Sequence, residues 1–125
     1  MKRFLAPLLL LLFTSCGLFE EESKDYDLNT IEELLFDINQ LAESKTCTNP
    51  NTWKLTPIGS KACGGPTGYL AYSSEINESE FLDLVEQYTK LQMEYNLKNN
   101  IASDCMYMVS PIGITCENGK PVFIY

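Results

Sequence analysis

Two stretches of the chain carry apolar residues at helical spacing. Between Thr30 and Ser44, residues Ile31, Leu34, Leu35, Ile38, Leu41 and Ala42 recur every three or four positions, which gathers them into one stripe. Thr30 followed by Glu33 has the capping-box form, so the spacing predicts a helix beginning at Thr30. Between Glu78 and Leu97, residues Phe81, Leu84, Val85, Tyr88, Leu91, Met93 and Tyr95 put most of their apolar surface on one face. Asn77 is a natural N-cap with Glu80 three residues on. Glu78, Glu80 and Asp83 near the start, with Lys98 near the end, complement the helix dipole. Each stripe is expected to pack into a core, the alternative for the first being an amphipathic face for a partner.

The rest of the pattern is β-like. Trp53–Ile58 alternates Trp53, Leu55 and Pro57 against Lys54 and Thr56, and Pro57 marks an edge or a strand end. Tyr69–Tyr72 reads as a short strand or extended segment, after a loop-like stretch over residues 59–68. Met106–Val109, Ile112–Cys116 and Val122–Tyr125 read as strands, with Pro111 a break. Asn118-Gly119 between the last two is the strongest short hairpin signal. The expected fold class is α+β: a small antiparallel sheet packed against two helices, in one domain over residues 29–125.

The chain opens with Lys2 and Arg3, then an apolar run from Phe4 to Phe13 broken only by Pro7. The run is about half the roughly 20 residues a spanning helix needs, so it reads as a secretory signal. Phe13-Thr14-Ser15-Cys16 resembles the lipobox of bacterial lipoproteins, although Phe13 stands where that family usually has Leu. The resemblance implies a signal peptide over residues 1–15 and lipidation of Cys16, with the membrane as a partner through the N-terminal lipid. An ordinary secretory signal would instead leave Cys16 incidental. Gly17 in place of Asp resembles the outer-membrane sorting pattern of Gram-negative lipoproteins. Glu20-Glu21-Glu22 resembles the acidic export signals of Bacteroidetes surface lipoproteins, or is simply an acidic tether. Residues 16–28 are expected to form a flexible leash. The expected location is the bacterial envelope, lipid-anchored at the outer membrane on its periplasmic face or at the cell surface.

Composition narrows the functions. The 125 residues include no His, which removes Ser-His-Asp and Cys-His catalysis and His-ligated zinc or haem. Net charge is −8, and loss of Lys2 and Arg3 with the signal would leave 7 bases against 17 acids, or −10. Nucleic acid is therefore not an expected partner. Of five Cys, lipidation of Cys16 would leave Cys47, Cys63, Cys105 and Cys116 to pair as disulfides, as exported proteins allow. Four Cys permit three pairings, and the sequence does not choose among them. Their separation by 15, 41 and 10 residues, with no Cys-x-x-Cys, argues against a metal site. No cofactor is expected.

Gly59-Ser60-Lys61-Ala62-Cys63-Gly64-Gly65-Pro66, Tyr69, Tyr72-Ser73, Tyr95-Asn96, Ser103-Asp104-Cys105, Cys116 and Gly119 resemble an uncharacterised family of small Cys-rich exported bacterial proteins. Members with six Cys would place the extra two near Trp53 and Pro121. The resemblance then implies that the strand at Trp53 lies beside the last hairpin, and that the pairs are Cys63–Cys105 and Cys47–Cys116. It implies no activity. The Gly-Gly-Pro loop reads first as geometry: Gly64 and Gly65 allow φ > 0, and Pro66 fixes the exit. Its functional reading is a partner or ligand loop over Lys61, Gly64, Gly65 and Pro66, with Lys61 and exposed backbone N–H groups forming a small anion nest. The tyrosines Tyr69, Tyr72, Tyr88, Tyr95 and Tyr107 are expected at the edge of the core.

No catalytic constellation stands out. The only loop candidates for acid, base or nucleophile work are Lys61, Asp104 and Glu117, and Asp104 is better explained as a turn cap. The expected function is a non-enzymatic, membrane-anchored interaction module of the envelope. The alternatives are a protease-inhibitor-like domain and a small-ligand binder.

Overall fold

A computed structural model describes residues 27–125. The lipobox, Cys16 and most of the expected leash lie outside the described residues. The elements run α1 (Leu28–Ala42), a 3-10 turn (Pro50–Thr52), β1 (Trp53–Ile58), β2 (Gly68–Ser73), α2 (Glu78–Lys98), β3 (Gly113–Glu117) and β4 (Lys120–Ile124). The fold is α+β, with two disulfides as staples, Cys47–Cys116 and Cys63–Cys105. Of the three pairings the cysteines allow, this is the one the family resemblance implied.

Helix α1 begins two residues earlier than the Thr30–Glu33 pattern suggested, with its cap one turn earlier. Its N-cap is Asp27, whose carboxylate accepts from the Thr30 backbone N–H at 2.9 Å and from the Thr30 hydroxyl at 3.0 Å. The Thr30 side chain is therefore a donor to the cap. Those bonds, the backbone one foremost, hold the Asp27 carboxyl below the usual aspartate range. Residue 28, assigned to the leash from the sequence, is the first residue of the helix. Helix α2 starts where expected: Asn77 Oδ1 accepts from the Glu80 N–H at 3.3 Å, and Asn77 Nδ2 donates to Glu80 Oε2 at 3.1 Å.

The β structure is divided into two antiparallel hairpins. β1 pairs β2 with Trp53 opposite Ser73 and Ile58 opposite Gly68. The strand over 69–72 thus belongs to a hairpin with β1, around the loop of residues 59–67. β3 pairs β4 across Asn118-Gly119, whose φ values of +50° and +76° are the left-handed pair that a two-residue turn requires. The expected strand Met106–Val109 does not form: residues 101–112 carry no regular structure. Side chains take up the local backbone groups instead. The Met106 N–H donates to Asp104 Oδ1 at 3.0 Å, and its carbonyl accepts from Lys61 Nζ at 2.7 Å. A β-prone run without a partner edge has no ladder to join.

The core lies between the two helices and the β1–β2 hairpin. Ile31, Ile38, Ala42, Ile58, Tyr72, Phe81, Val85 and Tyr88 form it, with Leu34, Leu35, Leu41, Leu84 and Leu91 packed around them. Both predicted stripes therefore face inward, except Met93, which is exposed. The β3–β4 hairpin packs beside β1, β2 and the 3-10 turn. It is joined to the region after α1 by Cys47–Cys116 and by the Cys47 N–H donating to the Gly119 carbonyl at 2.8 Å. Trp53 is buried in β1, and the strand it opens lies beside β3, as the resemblance implied.

Candidate functional site

The Gly-rich loop is built from its base upward by α2. Thr89, Gln92 and Asn96 are spaced so that they share one helix face. Thr89 Oγ1 accepts from the Gly59 N–H at 3.0 Å, and Gln92 Oε1 accepts from the Ser60 N–H at 2.7 Å. Asn96 Nδ2 donates to the Ser60 carbonyl at 2.8 Å. Thr89 and Gln92 were missed from the sequence, and Asn96 entered only within the Tyr95-Asn96 part of the resemblance. Their signal was a polar run at helical spacing beside the apolar stripe of Val85 and Tyr88. Gly59 has φ of +81°, and a Cβ there would run into Thr67 Oγ1 and come within 2.6 Å of Gln92 Oε1. Only glycine fits that approach.

The loop then closes on itself. Lys61 N–H donates to the Gly65 carbonyl, and Gly64 N–H to the Lys61 carbonyl, both at 2.9 Å. Gly64 and Gly65 have φ of +93° and +80°, the conformation the sequence suggested. Both have open space where a side chain would stand. The anion-nest donors are thus partly engaged: besides those two amides, Cys63 N–H donates to Ser103 Oγ at 3.3 Å. The cation is engaged too. Lys61 Nζ sits 3.0 Å from Asp104 Oδ1 and 2.7 Å from the Met106 carbonyl. The Met106 amide, followed by Lys61, holds the Asp104 carboxyl below the usual aspartate range. Asp104 therefore acts as a turn cap and ion-pair partner.

Together with Cys63–Cys105, these contacts fasten residues 101–112 as a strap across the loop. The strap is held at its ends by the Ile101 N–H on the Asn96 carbonyl at 2.9 Å and the Ile112 N–H on the Ile124 carbonyl at 2.8 Å. Pro111 is buried at its exit. Between those ends it turns apolar side chains outward: Met106, Tyr107, Val109 and Ile112 are exposed, Tyr107 to 86% and Ile112 to 79%. Tyr107 is the tyrosine that departs from core-edge packing, whereas Tyr72 and Tyr88 are buried. Leu97, 73% exposed, and Met93 lie at the C-terminal end of α2 beside Lys61, Ala62 and Ile101. Residues 99–116 contain one charged side chain, Asp104, and Lys61 pairs with it.

Three further features complete the surface. A groove of about 370 Å³ lies between the end of α1, β2 and the last hairpin, lined by residues including Asn39, Glu43, Tyr69, Lys120 and Phe123. Glu78 joins β1, β2 and α2: Lys54 Nζ reaches both of its oxygens at 2.8 Å, and the Tyr72 hydroxyl donates to Oε1 at 2.9 Å. Lys54 and then Tyr72 hold the Glu78 carboxyl below the usual range. Burial, reinforced by Glu78, pushes the Tyr72 hydroxyl up to about 12. Glu117, the third sequence candidate for chemistry, lies on the far hairpin opposite Lys120, apart from the Lys61–Asp104 pair. No helix among the described residues is long and apolar enough to cross a membrane.

No protein-family model matches the chain, and no curated protein or solved structure matches it either.

Proposed function

We propose that the protein is a lipid-anchored, non-enzymatic interaction module of the bacterial envelope, and that the strap over residues 101–112 is its contact surface. The observation that carries this reading is the outward display of Met106, Tyr107, Val109 and Ile112 on a covalently fastened segment. Clustered exposed apolar side chains mark interaction sites, and an ordered segment loses less entropy on docking than a free one. Tyrosine is an effective anchor, bringing a large rigid contact area and a polar tip. The partner is a protein that offers an apolar pocket for Tyr107. A basic rim on that partner would suit the net charge of −10 left after loss of Lys2 and Arg3 with the signal, 7 bases against 17 acids. The carboxyls of Asp27, Glu78 and Asp104 are held low, the opposite of the raised carboxyl a general acid needs.

The anchor rests on the lipobox Phe13-Thr14-Ser15-Cys16 and on parity, since the other four cysteines are consumed by two disulfides. Intact mass of the protein from its native membrane tests it; a mature chain beginning at acylated Cys16 is expected, and an unacylated start elsewhere refutes it. The surface is tested by a photo-crosslinking amino acid at position 107 of the full chain in cells. One discrete protein adduct is expected there and none from the same probe at Glu86 on α2. Adducts to lipid alone, or equal labelling at both sites, would overturn the protein-partner reading.

A further inference from the structure

We infer that Cys63–Cys105 is a reducible clasp on the strap, opened by a dithiol reductant while Cys47–Cys116 stays closed. This regulates the surface proposed above and rests on that reading for its purpose, though not for its chemistry.

The two disulfides sit in opposite surroundings. Cys47 is only 2% exposed, and its N–H is committed to Gly119. Cys116 is half-buried within β3. An attacking thiolate is hindered at that bond by the burial of Cys47, and access widens only as the last hairpin parts from the residues behind α1. Cys63 and Cys105 are both exposed, and both lie outside regular structure. Cys105 is also held at φ of +56°, a left-handed conformation that a side chain disfavours and that opening the bond would let it leave.

The consequence of opening is local. Between Ile101 and Pro111, the strap is attached to the Gly-rich loop through Cys63–Cys105, the Lys61 contacts to Asp104 and Met106, and the Cys63 N–H on Ser103. Without the cross-link the strap would rest on these polar contacts, in which the Lys61 side chain is 14% exposed but the Asp104 carboxylate is 63% exposed and open to competing water. The core residues Ile38, Phe81 and Val85 contribute nothing to this fastening and lose nothing with it.

The chemistry balances with a dithiol as the named co-reactant. One of its thiolates attacks Sγ of Cys63 or Cys105, breaking the disulfide and forming a mixed disulfide. The released cysteine thiolate takes a proton. The second thiol of the reductant, deprotonated, then displaces the other cysteine, which is protonated in turn. The protein gains two electrons and two protons, and the dithiol becomes a disulfide.

The test treats the full, oxidised chain with limiting dithiothreitol, quenches with N-ethylmaleimide and maps the label by peptide mass spectrometry. Cys63 and Cys105 should be modified at least about tenfold faster than Cys47 and Cys116. Amide exchange over residues 102–110 should rise about tenfold, with α2 around Phe81 and Val85 unchanged. The Cys63→Ser/Cys105→Ser double variant should show the same loosened strap with Cys47–Cys116 intact. Equal labelling of the two pairs, earlier labelling of Cys47, or unchanged strap exchange after reduction overturns the clasp. None of these readouts uses a partner, so their failure leaves the cross-linking result at position 107 untouched, and absent cross-links leave the order of reduction intact.

Discussion

Replacing Phe81 by alanine should remove a large part of the domain's stability. Phe81 is fully buried, and its ring lies 4.8 Å from that of Tyr72, centroid to centroid, tilted by 36°. It sits where α2 meets β2 and the α1 stripe. Truncating a buried phenylalanine costs ~3–5 kcal/mol through lost transfer energy and the cavity left behind. About 0.5–1.5 kcal/mol of that belongs to the ring pair with Tyr72. A domain of this size is stable by ~5–15 kcal/mol, so about a fifth or more is at stake. At ~4–8 °C per kcal/mol, the melting temperature should fall by at least about 12 °C. Guanidinium and thermal unfolding followed by circular dichroism, with both disulfides oxidised, would measure it. Phe36→Ala is the control: the same chemistry on α1, at a residue 63% exposed, should cost within about 0.5 kcal/mol. If Phe81→Ala costs under about 1 kcal/mol, or Phe36→Ala costs as much, the core has been placed wrongly.

The glycines of the loop should separate by space. Gly64→Ala, where the Cβ has open room, should cost only the left-handed strain of ~1–2 kcal/mol, whereas Gly59→Ala adds a clash with Thr67 and Gln92 and should cost at least about 1 kcal/mol more in the same unfolding assay. In an ultraviolet titration Tyr72 should ionise near 12, with Tyr88 also raised by burial, and Glu78→Gln should lower the Tyr72 value only part of the way because burial is the larger cause. Because the hydroxyl is harder to ionise when folded, its contribution to stability is complete below the ordinary value of 10.0 and falls as pH rises toward about 12. Asp104 runs the other way. Its lowered folded value means its contribution is complete at neutral pH, starts to fall near the ordinary 3.8 and is lost below that, so strap amide exchange should be flat from pH 7 to pH 5, once corrected for intrinsic rate, and rise only in stronger acid.

The helices were readable because their signals are local. Apolar residues at i, i+3 and i+4 must face one side wherever the helix sits, and Asn77 bonds its own first turn. The cap of α1 was misread by one turn because Asp27 and Thr30 are both competent caps, and the residue with the free carboxylate took the role. The Asn118-Gly119 turn was equally local, since two successive left-handed residues need those types. Met106–Val109 failed for the opposite reason. Its composition suits a strand, but a strand exists only beside another edge, and Cys105 and Pro111 hold this run off the sheets. Of the loop candidates, the Gly64 and Gly65 conformations were legible, whereas the engagement of Lys61 by Asp104, 43 residues away, was not.

The sequence by itself determined where the chain turns inward and where it turns sharply. It set two amphipathic helices and a hairpin at Asn118-Gly119 through interactions spanning a few residues, and it marked Trp53–Ile58 as strand-like by alternation, although that strand is completed by β2, whose Ser73 lies opposite Trp53. It also limited the chemistry, by the absence of histidine and the parity of its cysteines. The tertiary structure alone decided which cysteines meet, that the strands divide into two hairpins, and that residues 101–112 become an exposed strap. Those outcomes depend on contacts between residues up to 69 apart in the chain, where burial, chain closure and the competition for backbone partners are settled only once the whole domain has packed.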